Sequence, residues 1–213
     1  MYVPPYHAMS GCREAQALIE AYPLGAWAAL TTDGLVANHI PFLLDRSRGP
    51  FGTLLGHVSR ANHVWRQLAQ PAPSVVMFLG PQAYVTPEWY PSKRQDGKVV
   101  PTWNYAAVHA HGAARAVDDR EWLRGMLARL TEAHEAGRVL PWKVSDAPAD
   151  FIEKMLGAVV GIEITVDRLV GKLKASQDEA LQDRLGTAAG LAAKGCDEAA
   201  RMASLVRQAI ERD

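Results

Sequence analysis

The sequence predicts a mainly β fold, an antiparallel barrel with peripheral helices in an α+β chain. About six strand-like segments follow one another mostly through short turns, the pattern of an antiparallel barrel. The last of them arrives only after two amphipathic helices, as it would if helices pack along one side. The 213 residues are 48% apolar and 22% charged, which excludes a disordered chain, a collagen and a coiled coil. A chain of this length buries about 70% of its unfolded surface, enough for a full core without staples.

Each element has its own signal. Ser10 is placed to cap a short amphipathic helix over 13–22, carrying Leu18 and Ile19 and stopped by Pro23 and Gly25. A short apolar strand follows at 25–31. Asp33-Gly34 is a hairpin signal, giving a partner strand over 35–45, and a loop at 46–50 leads to a third strand at 51–57. Ser59 is placed to cap a short helix with Val64 and Leu68 on its apolar face, ended by Pro71 and Pro73. Residues 74–79 read as a buried strand. Residues 80–98, with Pro81, Pro87, Pro91 and Gly97, read as a long loop, and 101–117 as a long or bent strand. Asp118 and Asp119 cap a helix over 120–136, where Trp122, Leu123, Met126, Leu127 and Leu130 recur at helical spacing. A second helix starts at Ala147-Pro148 and runs through Leu156. An alternating strand covers 159–169, and helices over 177–191 and 196–212 finish the chain. No repeat or linker interrupts it. One domain is expected over 1–213, with a helical C-terminal extension from about residue 192. The amphipathic tail (Met202, Leu205, Val206, Ile210) suits docking on its own barrel or on a second subunit.

Lys and Arg number 23, and so do Asp and Glu. A duplex-DNA binder normally carries a basic excess or stripe, because phosphate contacts supply most of its affinity; direct DNA binding is not expected. Cys12 and Cys196 make no disulfide framework and suit a reducing cytoplasm. No secretory signal is visible. The longest stretch free of Asp, Glu, Lys and Arg, 67–87, contains Pro71, Pro73, Pro81 and Pro87 and cannot be a membrane helix.

The common catalytic signatures are absent: neither nucleotide-cradling glycine loop, no serine elbow, no C-x-x-C, and a His134-Glu135 pair without the second zincin histidine. Four other features carry chemistry. His109 and His111 share one face of a strand. They could bind a metal with a third ligand from His39 or His57, serve haem, or form a hydrogen-bonded pair in a polar pocket. Tyr84, Trp89, Tyr90, Trp103 and Tyr105 flank a proline-rich loop together with Gln82, Thr102 and Asn104. Such a cluster is either plain core or the wall of a pocket for a flat, polar-edged ligand. Across 56–62 a strand runs into a helix start, where backbone N–H groups, Ser59, Asn62 and the Arg60 fork suit an anion, unless this is an ordinary capped helix. At 171–177, Lys172 and Lys174 share a strand face, as anion ligands or as protection of a solvated edge.

Taken together, several runs resemble the PaiB family, described as FMN-binding negative transcriptional regulators. They include Met1-Tyr-Val-Pro, His39-Ile-Pro and Gly56-His-Val-Ser-Arg-Ala-Asn. Longer matches are Gly80-Pro-Gln-Ala-Tyr-Val-Thr-Pro-Glu-Trp-Tyr and Val100-Pro-Thr-Trp-Asn-Tyr-Ala-Ala-Val-His-Ala-His-Gly, followed by Gly171-Lys-Leu-Lys-Ala-Ser-Gln. Asp178 stands where the family pattern has asparagine. The resemblance implies an antiparallel split barrel of the FMN-binding type, acting as a homodimer with flavin at the subunit interface. It places His57, Ser59, Arg60 and Asn62 against the FMN phosphate. Asn38, His39, Ile40 and Pro41 fall beside the isoalloxazine, and Thr102, Trp103 and Asn104 close the site, with Lys174 and Gln177 nearby. It carries over no catalytic residue. A negative regulator, a small FMN-dependent oxidoreductase and a haem-binding or haem-degrading protein are the functions left open.

Overall fold

The computed structural model describes residues 1–68 and 72–212. Helix α1 (Cys12–Ala21) precedes strands β1 (Leu24–Thr31), β2 (Gly34–Pro41), β3 (Leu43–Asp45) and β4 (Thr53–Ser59). A single helical turn, α2 (Val64–Gln67), leads to the long strands β5 (Ala72–Val85) and β6 (Thr102–Val117). Helices α3 (Arg120–Glu135) and α4 (Ala149–Gly157), strand β7 (Val159–Lys174), and helices α5 (Leu181–Ala193) and α6 (Asp197–Glu211) complete the chain. Among the described residues the strands form one seven-stranded sheet, ordered β2-β1-β5-β6-β7-β4-β3. No described helix is long and apolar enough to cross a membrane. Cys12 and Cys196 are free.

The chain divides into two compact units, one of residues 1–18, 79–108 and 170–213, the other of 19–78 and 109–169. The first, the terminal unit, has a core made by its C-terminal helices. Met202, Ala203, Val206 and Ala209 of α6 and Ala188 and Leu191 of α5 bury themselves with Ala83, Ala106, Leu173 and Ala175. The amphipathic tail therefore packs on strand segments of its own chain. In the central unit β1 pairs antiparallel with β2, from Leu24↔Pro41 to Thr31↔Gly34. Strand β4 pairs antiparallel with β7, including His57↔Gly161. Leu123, Met126 and Leu130 of α3 meet Leu55 and Leu156 in one cluster.

Several sequence expectations shift. The strand expected over 35–45 breaks at Phe42, whose N–H turns to Pro23 O at 2.9 Å while its ring packs edge-on against Phe78. The loop expected from residue 80 starts later, since β5 runs on to Val85. Gly80 lies inside it because Leu18 packs there, 3.0 Å from where a Cβ would stand. Ser59 caps no helix; it ends β4, and α2 starts at Val64 without a side-chain cap from His63. Pro71 lies outside the described residues, and Pro73 falls within β5. Strand β7 outruns the expected 159–169 by five residues, to Lys174. Asp119 alone caps α3, accepting from Trp122 N at 2.7 Å; Asp118 is used elsewhere.

Two features of the central unit have measurable consequences. Gly112 lies so close to β7 that a Cβ would stand 2.1 Å from Thr165 O. Gly112→Ala is expected to cost about 1–3 kcal/mol, whereas Gly137→Ala, with open space around it, stays within about 0.5 kcal/mol; denaturant unfolding compares them. Glu163, 3% exposed, accepts from Arg115 Nε at 2.8 Å, and Arg48 Nη2 lies 2.9 Å from its other oxygen. Burial alone would raise its pKa, but the two guanidiniums outweigh burial and hold it below the ordinary value. The unfolded state then binds the proton more readily, so this stabilisation is full above the ordinary carboxylate range and fades as pH falls through the lowered folded value. Glu163→Gln is expected to cost about 1–2 kcal/mol at pH 7, discounted because both arginines are half-exposed. The gap to wild type should close on acidification in a pH series of urea melts.

Candidate functional site

The singled-out residues fall into two clusters, one in each unit. In the central unit the chain leaves β4 at Ser59 and turns through 60–62. Arg60 holds that turn. Its N–H donates to Ala158 O at 2.8 Å, and its Nε and Nη2 donate to Gly157 O and Val159 O at 2.8 and 3.2 Å. Nη1 and Nη2 also donate to the Asp118 carboxylate at 2.9 and 2.5 Å, and this bond keeps the Asp118 carboxyl below its ordinary range. Trp65 Nε1 donates to Arg60 O at 3.1 Å, and Arg66 lies over the Trp65 ring at 4.6 Å. The Arg60 guanidinium is thus engaged within the fold.

The turn carries the polar side chains. Ser59 Oγ accepts from Ala61 N at 3.3 Å. Asn62 uses both ends of its amide: Oδ1 accepts from Val64 N at 3.1 Å, and Nδ2 donates to Asn38 Oδ1 at 2.7 Å. That bond draws the turn to β2. It leaves Asn38 Nδ2 buried with no partner among the described residues, and His57 Nδ1 is buried and unpartnered as well. Burial pushes the His57 imidazole below its ordinary pKa, so it is neutral at pH 7. Along β2 the burial alternates: Asn38 is half-buried, Ile40 buried, Pro41 half-buried, and His39 exposed. Adjacent strand residues face opposite ways, so His39 stands on the other face from Asn38 and Ile40.

The terminal unit holds the second cluster. Trp103 is 54% exposed and Tyr84 43%, and their rings meet edge-to-face with centroids 6.0 Å apart. Thr102 Oγ1 accepts from Lys174 Nζ. Asn104 is fully buried and donates through Nδ2 to Ser176 Oγ at 2.8 Å, while its Oδ1 has no partner among the described residues. Ser176 sits at φ 62°, a left-handed conformation that is uncommon for serine. Gln177 holds the same turn: Oε1 accepts from Ala175 N at 2.6 Å and Nε2 donates to Leu173 O at 2.7 Å. The helix expected from residue 177 starts only at Leu181 because Gln177 is spent on that turn. Asp178, the residue that departs from the family pattern, lies 3.6 Å from Nε2 of the buried His7.

Sequence reasoning missed Asp118 and Trp65 as the supports of the turn. Arg60 and Asp118 are 58 positions apart, and Asp118 reads locally as a helix cap. Trp65 lies five residues beyond Arg60 with an indole N–H needing an acceptor, which was the one available signal.

The family model described as "Putative FMN-binding domain" matches residues 1–168. An uncharacterized protein of Emericella nidulans is 34% identical over 98% of this chain and 97% of its own length. The protease synthase and sporulation protein PAI 2 of Bacillus subtilis is 26% identical over 100% of this chain and 99% of its own. Among solved structures, the FAD and heme binding protein of Mycobacterium smegmatis aligns with TM-score 0.60 at 21% identity, covering 83% of this chain and 78% of that one. The flavocytochrome Anf3 of Azotobacter vinelandii aligns with TM-score 0.53 at 17% identity, covering 81% and 72%. At such identities these two structures speak for a shared split-barrel fold alone. With four-fifths of its length matched by the family model, the chain belongs to the FMN-binding family of the PaiB type.

Proposed function

We propose that FMN, the cofactor of this family, lies along residues 38–41 of the central unit, with one edge of its ring system on Asn38 and His57. The observation that carries this reading is the pair of buried, unpartnered polar nitrogens, Asn38 Nδ2 and His57 Nδ1. They sit on segments drawn together by the Asn62–Asn38 bond. Leaving such a group unsatisfied costs about 1–3 kcal/mol. The isoalloxazine edge, with its carbonyl oxygens, ring nitrogens and one N–H, offers complementary partners. At the phosphate end Ser59 is exposed and keeps its hydroxyl proton to donate. Arg66, which makes no ion pair among the described residues, is the nearby cation. Arg60 contributes by holding the turn. Bound FMN supplies hydride or single-electron transfer; the chain's own residues seat and orient it.

A homodimer is the second part of the reading. Trp103 and Tyr84 leave large apolar rings exposed, and a second copy's Thr102, Trp103 and Asn104, with Lys174 and Gln177 behind them, is the wall that closes the site. The regulatory role carried by the PaiB resemblance then runs through a partner protein, because equal numbers of basic and acidic residues leave no charge excess for a phosphate backbone.

The test is an absorption titration with FMN, followed by identification of the ligand released on denaturation, with gel filtration for the dimer. One FMN per chain is expected, and Asn38→Ala and His57→Ala each weaken it roughly three- to tenfold, as the loss of one hydrogen bond does. Binding that ignores both substitutions, or no binding, contradicts the reading. Asp118→Ala separates the two roles open to Arg60. If Arg60 acts through the shape of the turn, Asp118→Ala weakens FMN as Arg60→Ala does. If Arg60 grips the phosphate directly, freeing it from Asp118 leaves affinity unchanged or tightens it.

A further inference from the structure

The His109 and His111 pair takes no part in the flavin reading and stands independently of it. Both side chains project from one face of β6, with the fully buried Ala110 between them on the other. Their ring centroids are 6.3 Å apart and the planes are inclined by 55°. With metal–nitrogen bonds of about 2.0–2.1 Å, an ion shared by two imidazoles sits about 3.2 Å from each ring centre, so the centres end up about 5.2 Å apart on a tetrahedral ion and about 4.5 Å apart on neighbouring positions of a square-planar one. The observed spacing is about 1 Å wider than the tetrahedral value, a gap that rotation of the two rings about their side-chain torsions closes with the strand unmoved. Strand β6 is also held firmly here, because Gly112 is pressed onto Thr165 O of β7.

His111 Nε2 is shielded from water and has no partner among the described residues. A neutral imidazole offers one ring nitrogen's lone pair to a metal. The charge of Arg168 on β7 works against a cation at both rings, while the charge of Asp167 works for one at His111. Among the described residues no group of three metal-binding side chains is assembled. Among the described residues the site is therefore bidentate, and the ring rotation that brings the two imidazoles together also brings His111 Nε2 out of its shielded position so that water can fill the remaining coordination positions.

We propose that His109 and His111 chelate a divalent transition-metal ion of the zinc, nickel and copper class, which takes imidazole nitrogen readily. Haem does not suit the same pair as a two-histidine ligand, since its macrocycle would have to pass between two side chains of one strand.

The test is titration of the full chain with Cu²⁺ and Zn²⁺ by calorimetry, with electron paramagnetic resonance of the Cu²⁺ form. One ion per chain is expected, with a spectrum showing two imidazole nitrogens on copper. His109→Ala and His111→Ala should each weaken binding at least tenfold. His134→Ala, which removes an exposed helix histidine, should leave it unchanged, and Arg168→Gln should tighten it by removing the opposing charge. Binding that survives both His109→Ala and His111→Ala, binding lost in His134→Ala, or absence of binding with haemin taken up instead would each overturn the proposal.

Discussion

The central unit turns on one partly exposed ion pair, backed by bonds from the same guanidinium to two backbone carbonyls. Arg60 leaves the end of β4 and reaches Asp118, just beyond β6, and the carbonyls of Gly157 and Val159, where α4 gives way to β7. Three stretches of chain far apart in sequence are thereby tied at one point. A guanidinium suits this role because its planar fork donates in several fixed directions at once. With the turn at 60–62 fixed, Asn62 is delivered to Asn38. With Asn38 fixed, its Nδ2 is left buried and without a partner among the described residues. The contact proposed for the flavin is thus a by-product of how the turn is anchored.

The terminal unit solves a parallel problem differently. Its turn after β7 places Ser176 in a left-handed conformation and stabilises it with two amides, Asn104 from β6 and Gln177 from the turn itself. Lys174 and Thr102 sit at its base and Trp103 and Tyr84 at its surface. The helical pair α5–α6 backs these strand segments with small residues, alanines chiefly, which lets helix and strand come close. The result is a rigid platform whose exposed face is aromatic and polar together.

Much of the architecture was legible in the sequence because its signals are local. Asp33-Gly34 announced the β1–β2 hairpin, Asp119 the start of α3, and the spacing of Leu123, Met126 and Leu130 its buried face. The misreadings share a cause. Gly80 and Pro81 are loop-formers by local preference, yet they lie in β5, where Leu18 fills the space a side chain would need. Gln177 looks like a helix residue until its amide is seen closing the turn from Leu173. The site was half legible. Of the residues named by motif, Ser59 and Asn62 share one turn and Asn62 reaches Asn38. Arg60 was read as an anion fork because its acceptor, Asp118, lies 58 residues away, and no local pattern can reveal such a pairing.

The central claim is that Asn38 and His57 receive the edge of the flavin. Heteronuclear NMR of the full chain, following the Asn38 side-chain amide and the His57 ring nitrogens during FMN addition, tests it most directly. This account expects both signals to move together and saturate with the flavin. Saturation by FMN while those nitrogens keep their free-protein shifts would contradict it and place the cofactor elsewhere on the fold.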